Sequence, residues 1–297
     1  MSTSKADRAA GFRAAYRRHE RCWNDNRYVY PVVSRRSGGI SIGINLNPGK
    51  DCSFNCVYCQ VDRRYGSAAE RVDLNQVRAE LNDILTVEQS GTLYDADPFC
   101  LLPRGKRGVR DIAFSGDGEP TARSGVFYDA VKVAAQLRRQ FHLTGAKIVL
   151  ITNGTFLDKA MVRKALTLMD ENNGEIWAKL DAGTKEYFRK INRTAVTIEK
   201  ILDNILQTAL VRPVVIQSLW MRIDESTPPF CEIQAFSDRL NGLLDSGAQL
   251  KALHLHTIAR RPAEDFVSPL SDEELDSIAG FVRSNVSVPV EVFYETG

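Results

Sequence analysis

Strand-like and helix-like patterns alternate along nearly the whole chain, and that alternation restricts it to few folds. Residues 40–47 (ISIGINLN) alternate apolar and polar with β-branched residues, as a strand does. A helical pattern follows over 73–86, with Leu74, Val77, Leu81, Ile84 and Leu85 on one face. The pair then recurs. Further strands are expected over 109–115, 147–152, 175–181, 214–223 and 250–258, and further helices over 126–141, 158–171, 197–210, 231–245 and 272–284. The last helix is opened by a capping box, Ser271 with Glu274. A final strand spans 288–294. Six βα units and one terminal strand specify an α/β fold with a parallel sheet, outer helices and right-handed crossovers. Six units rather than eight make an open partial (β/α)6 barrel with a C-terminal extra strand the expected architecture; a flat doubly wound sheet is the alternative. No Gly-, Pro- or Ser-rich linker divides the pattern, so 28–297 reads as one domain behind an N-terminal helical extension, 1–27. In either architecture the chemistry belongs at the carboxyl ends of the strands.

Composition excludes several classes. Of 297 residues, 43% are hydrophobic and 26% charged, enough for a large core, and a net charge of +2 does not by itself imply nucleic acid. No apolar run approaches the roughly 20 residues that span a bilayer. The N-terminus is polar and basic without an apolar segment, so a cytoplasmic protein without membrane attachment is expected. Six cysteines are present, three of them within eight residues. Clustered cysteines in a chain of this length read as a metal or redox site rather than a disulfide framework.

The cluster is Cys52-Ser-Phe-Asn-Cys56-Val-Tyr-Cys59, on the loop that follows the first strand. Three thiolates on so short a loop can converge on one metal centre. A closed zinc site takes four ligands, commonly from paired CxxC knuckles, and a second CxxC is absent. Three cysteines leave one iron of a four-iron cluster without a protein ligand. A three-cysteine zinc site completed by a distant His or Cys stays open as the alternative. The second strand runs into Phe114-Ser115-Gly116-Asp117-Gly118-Glu119-Pro120-Thr121, a glycine-flanked carboxylate one βα unit later at the same end of the sheet. The third strand ends in Thr152-Asn153-Gly154. Lys179 and Asp181 share one face of the fourth by the period of two, as His254 and His256 do on the sixth; the fifth carries Gln217, Trp220 and Arg222.

The triplet, its place after strand one and the following motif resemble the radical S-adenosylmethionine (SAM) superfamily, whose fold is a partial, TIM-like (β/α)6 barrel. The resemblance implies a [4Fe–4S] cluster on Cys52, Cys56 and Cys59, with SAM bound at the open iron and cleaved reductively to a 5′-deoxyadenosyl radical that abstracts hydrogen from a substrate. By the same resemblance Tyr58 contacts adenine, and Gly116, Gly118 and Glu119 hold the amino group of SAM, Asp117 being the alternative carboxylate. Asp181 is then placed to accept from the ribose hydroxyls and Arg222 to pair the methionyl carboxylate. An electron donor such as a flavodoxin or ferredoxin is implied.

Within the superfamily, FSGDGEPT, the stretch from LDAG to KINR, and HTIARRPAE resemble the group that contains archaeal wyosine synthases. Those enzymes add a second cluster, whereas Cys22, Cys100 and Cys231 are widely separated and read as buried apolar residues. The substrate is therefore left open, small molecule or RNA. Candidate substrate contacts are Lys179, Trp220, Arg222, His254 and His256, with Arg260 and Arg261 on the following loop. Basic clusters that would serve RNA are Arg13, Arg17, Arg18 and Arg21; Arg35 and Arg36; and Arg104, Lys106, Arg107 and Arg110, the last placed beside the active-site rim. The readings set beside a radical enzyme of unassigned substrate are a tRNA-base-modifying member of the superfamily and an iron–sulfur or zinc protein that binds RNA or a partner without turnover.

Overall fold

The computed structural model describes residues 23–63 and 71–295. Most of the expected N-terminal extension, with Cys22 and the arginines at 13, 17, 18 and 21, lies outside them. Eight strands form one sheet in the order β1-β2-β3-β4-β5-β6-β8-β10. The six central strands are β2 (Gly39–Ile44), β3 (Val109–Phe114), β4 (Lys147–Thr152), β5 (Gly174–Lys179), β6 (Val214–Leu219) and β8 (Leu250–His256), all parallel. The extra strand β10 (Val290–Phe293) adds parallel to β8. The sheet curls into a half-barrel, as six βα units implied.

Helices α1 (Leu74–Gln89), α2 (Ser124–Gln140), α3 (Ala160–Asp170), α5 (Ile198–Ala209), α6 (Phe230–Asp245) and α7 (Asp272–Asn285) lie where the periodicity places them. Their apolar stripes pack on the outer face of the sheet. Phe114 of β3 meets Phe127 of α2 edge-to-face at 5.2 Å, and Leu81, Ile84 and Leu85 of α1 are buried in the same core. The capping box of α7 is complete, with Ser271 and Glu274 each bonding the other's backbone N–H. On the inner face Ala113, Val149, Trp177, Val215 and Ala252 form a separate apolar layer, one side chain from each of five strands.

Three features depart from the sequence reading. A strand β1 (Val29–Ser34) pairs antiparallel with β2, from Val29 opposite Ile44 to Ser34 opposite Gly39. Pro31 fits there because an edge strand does not need every N–H. The buried Glu80 of α1 accepts the N–H groups of Arg27, Tyr28 and Val29 and pins the start of this strand. Second, the expected strand 214–223 breaks at Trp220. Its remainder, β7 (Met221–Ile223), leaves the sheet to pair antiparallel with β9 (Val267–Pro269). Third, a short helix α4 (Lys185–Asn192) follows β5, capped by the Thr184 side chain on the Tyr187 N–H. Across the gap between the edge strands, Arg35 of the β1–β2 turn donates to the carbonyl of Tyr294 beyond β10.

Candidate active site at the cysteine loop

The loop from Asn45 to Arg63 leaves the carboxyl end of β2 and is held by its neighbours. The N–H groups of Asn55 and Val57 donate to the carbonyls of Asn192 and Ile191 at 3.0 and 2.9 Å, at the end of α4. Phe54 is buried edge-to-face against Phe188 of the same helix at 5.6 Å. Val57 packs with Ile191, Met221, Ile223 and Ile258, which gives the broken strand β7 a use. Between these anchors Cys52, Cys56 and Cys59 line a cavity of about 260 Å³ at the mouth of the half-barrel.

Each cysteine sulfur meets its own N–H donor. Asn153 Nδ2 lies 3.7 Å from Cys52 Sγ, Asn192 Nδ2 3.4 Å from Cys56 Sγ, and Arg63 Nη1 3.0 Å from Cys59 Sγ. Burial holds the Cys52 thiol above its ordinary range and pushes the Cys56 thiol up to about 11, although Lys179 lowers both. Thiols in that state shed protons when a metal replaces them. Among the described residues no three His, Cys, Asp or Glu side chains gather around a single metal ion.

The loop after β3 lies directly on the cysteine loop. Glu119 N–H donates to the Asp51 carbonyl at 3.0 Å. A Cβ at Gly118 would fall 1.9 Å from that same carbonyl, and one at Gly116 would fall 2.4 Å from Asn45 Oδ1. Both glycines line the cavity, but their lack of a side chain serves this contact between loops. Glu119 is buried and lines the cavity. Its Oε1 accepts from Thr121 N (3.1 Å), Thr121 Oγ1 (2.5 Å) and Thr152 Oγ1 (2.7 Å), and its Oε2 from Asn153 N (2.7 Å). Burial raises its pKa while these donors lower it. Oε1 thus carries three of the four bonds and Oε2 only one, so Oε2 is the oxygen open to a further donor. Asp117 accepts from Asn45 Nδ2 at 2.7 Å.

Asp181 is also buried, but it stands behind the cavity wall rather than on it. Its Oδ2 takes the Tyr58 hydroxyl and, at 3.4 Å, Asn192 Nδ2; its Oδ1 takes Leu219 N–H at 2.9 Å. Tyr58 faces the cavity, with Lys179 Nζ 3.4 Å from its hydroxyl and 5.0 Å from its ring centroid. Burial and Asp181 raise the tyrosine pKa well above its usual range, so the phenol stays protonated and donates.

The substrate candidates separate. Lys179, Gln217 and His256 line the cavity. Trp220 turns outward against Phe236 of α6 at 5.4 Å, because it sits where the chain leaves the sheet. Arg222 lies on β7, bonded to Glu274 and to the Glu225 carbonyl, away from the cavity. His254 is wedged between Trp177 and Phe293 at 5.3 and 5.2 Å; burial and Arg36 push it down to about 4, so it is neutral. Arg260 reaches the mouth. The basic stretch Arg104–Arg110 lies at the opposite end of the barrel from the cysteine loop, since it precedes β3 and its Gly108 carbonyl caps the start of β2 at Ile40 N–H.

A model of the family described as the radical SAM superfamily matches residues 46–210, which include Cys52, Cys56 and Cys59 and the loops after β3, β4 and β5. The chain belongs to the radical SAM superfamily. Two solved structures share the fold. Streptococcus suis SuiB bound to S-adenosylmethionine superposes with a TM-score of 0.56 at 11% identity, over 87% of this chain and 52% of that one. A structure of TYW1 with a lysine–pyruvate adduct bound gives 0.52 at 17% identity, over 93% and 82%. Among curated relatives, the UPF0026 protein slr1464 of Synechocystis sp. is 30% identical over 182 residues, which is 60% of this chain and 57% of that protein. The chain spans 34% and 57% of the length of the first two curated relatives it matches. No helix among the described residues is long and apolar enough to cross a membrane.

Proposed function

We propose that this chain is a radical SAM enzyme whose iron–sulfur cluster is a [4Fe–4S] cluster on Cys52, Cys56 and Cys59. The observation that carries the reading is that all three cysteines line one cavity at the strand ends, each sulfur facing a separate N–H donor. Soft thiolate donors suit iron–sulfur clusters, and N–H groups on the sulfurs stabilise the added charge of a reduced one. When bound, the cluster and SAM would supply the electron and the sulfonium bond from which a 5′-deoxyadenosyl radical is released.

The remaining roles belong to this chain's own residues. Glu119 keeps Oε2 open to a further donor and is placed to receive the ammonium of SAM, with Gly116 and Gly118 setting its loop against the cysteine loop. Tyr58 offers an aromatic wall for adenine. Asp181 acts one step back: by accepting the Tyr58 hydroxyl and Asn192 it orients both. The wall itself excludes water from a reactive intermediate. A flavodoxin or ferredoxin is proposed as electron donor.

The test is anaerobic reconstitution with iron and sulfide, followed by SAM and dithionite and measurement of 5′-deoxyadenosine. Product from the wild-type chain and none from Cys56→Ala supports the reading. Bound zinc with no iron–sulfur signal would overturn it in favour of a binding protein without turnover.

A further inference from the structure

The lumen below Tyr58 holds polar groups that the SAM site leaves unused. Gln217 of β6 is fully buried, lines the cavity, and has no hydrogen-bond partner for either amide atom. The buried Nδ1 of His256 on β8 is likewise unpartnered on the same wall. A buried amide with neither atom bonded is costly to keep, so a native fold keeps it for a partner.

The same lumen is cationic. Arg36, from the β1–β2 turn, lies with its guanidinium 5.0 Å over the Trp177 ring. Among the described residues no hydrogen bond or ion pair engages that guanidinium. Asp111, within electrostatic reach, is bonded to Ser41. Burial and the adjacent Arg35 bring the Arg36 pKa down to about 10, which leaves it charged at neutral pH. Trp177 and Lys179 share one face of β5, two residues or about 6.6 Å apart. Lys179 has no carboxylate partner among the described residues, and both cations lower the pKa of His256. Arg36 and Lys179 both line the cavity that Gln217 and His256 line, so a carboxylate in it has two cations to meet.

We propose that the lumen is a substrate subsite for a small organic carboxylate, held between Arg36 and Lys179, whose second polar group bonds Gln217 and His256. It rests on the radical SAM reading for its role as substrate site, not for its binding. The planar fork of Arg36 matches a carboxylate, and Asp111 beside it offsets one charge, which favours a monoanion over a phosphate dianion.

The test is calorimetric titration of the reconstituted full chain with lactate, glycolate and 3-hydroxybutyrate, against lactamide and inorganic phosphate. At least one carboxylate is expected to bind in the millimolar range or tighter, lactamide not at all, and Arg36→Gln to weaken binding at least tenfold. Gln217→Leu provides the control for folding. It removes two unpartnered atoms, so it is expected to leave the unliganded protein as stable or more stable while weakening carboxylate binding. Lower stability in Gln217→Leu with binding unchanged would overturn the proposal, as would binding of phosphate alone or of no carboxylate. Carboxylate binding that persists in Cys56→Ala supports the subsite whatever becomes of 5′-deoxyadenosine formation, so the two readings fail separately.

Discussion

The carboxylate of Glu119 accepts the backbone N–H of Asn153 at 2.7 Å, and the side chain of Asn153 reaches on to the sulfur of Cys52 at 3.7 Å. A buried acid on the loop after β3 thereby sets the turn after β4, which in turn faces the cysteine loop after β2. Three strand ends are coupled through one residue.

Glu119→Gln should uncouple them. The amide would have to turn an NH₂ either toward the Asn153 N–H or toward the Thr121 and Thr152 donors, leaving buried donors face to face. A loss of about 1–3 kcal/mol is expected in denaturant unfolding, with weaker SAM binding by calorimetry. Unchanged stability would contradict the coupling.

Asn192 donates to Cys56 and to Asp181 from one amide nitrogen. Asn192→Leu removes a donor from the cluster sulfur, which makes reduction harder. The expected result is a fall in cluster potential of about 60 mV, one tenfold step in a one-electron equilibrium, in an EPR-monitored redox titration. Asn153→Leu should act in the same direction through Cys52.

Tyr58→Phe removes the hydroxyl that Asp181 accepts. A hydrogen bond to a buried charged group contributes about 1.5–3 kcal/mol, so a loss in that range is expected on chemical unfolding. Asp181→Asn should lose less if Tyr58 keeps a partner, and the pair should be non-additive in a double-mutant cycle.

His254 gives stability a pH dependence. Burial, with Arg36, brings its folded pKa from the usual 6.5 down to about 4. A depressed group stabilises the fold above its unfolded pKa and loses that contribution as pH falls, here between 6.5 and 4. About 2 kcal/mol should be gone by pH 5 from this residue alone. His254→Leu should flatten unfolding free energy against pH across that window.

Much of this was legible beforehand because it depends on short-range pattern. The strands at 109–114 and 147–152 and the helix at 272–285 followed from periodicity and a capping box. Two elements escaped for separate reasons. Helix α4 is only Lys185–Asn192, too short for a periodic signal, and β1 carries a proline that argues against a strand unless one knows it is at an edge. The site residues Asn192 and Arg63 were missed because nothing local marks an asparagine or an arginine as a partner of a sulfur.

The sequence alone determined the α/β alternation, the cysteine triplet on the loop after the first parallel strand and the family to which the chain belongs, because each is encoded within a few neighbouring residues. Only the tertiary structure decided which polar side chains meet. Lys179 faces the cavity while Asp181, two residues on, stands behind it, because the chain leaves the strand at Lys179 and the period of two no longer applies. Arg222 and Trp220 left the site when their strand broke, and Arg36 entered the lumen from a turn far away in sequence, because the β1–β2 turn lies at the end of the half-barrel opposite the cysteine loop and the sheet curls around it. Hydrogen bonds and charges act over a few ångströms in space, and sequence separation carries no information about those distances until the sheet closes.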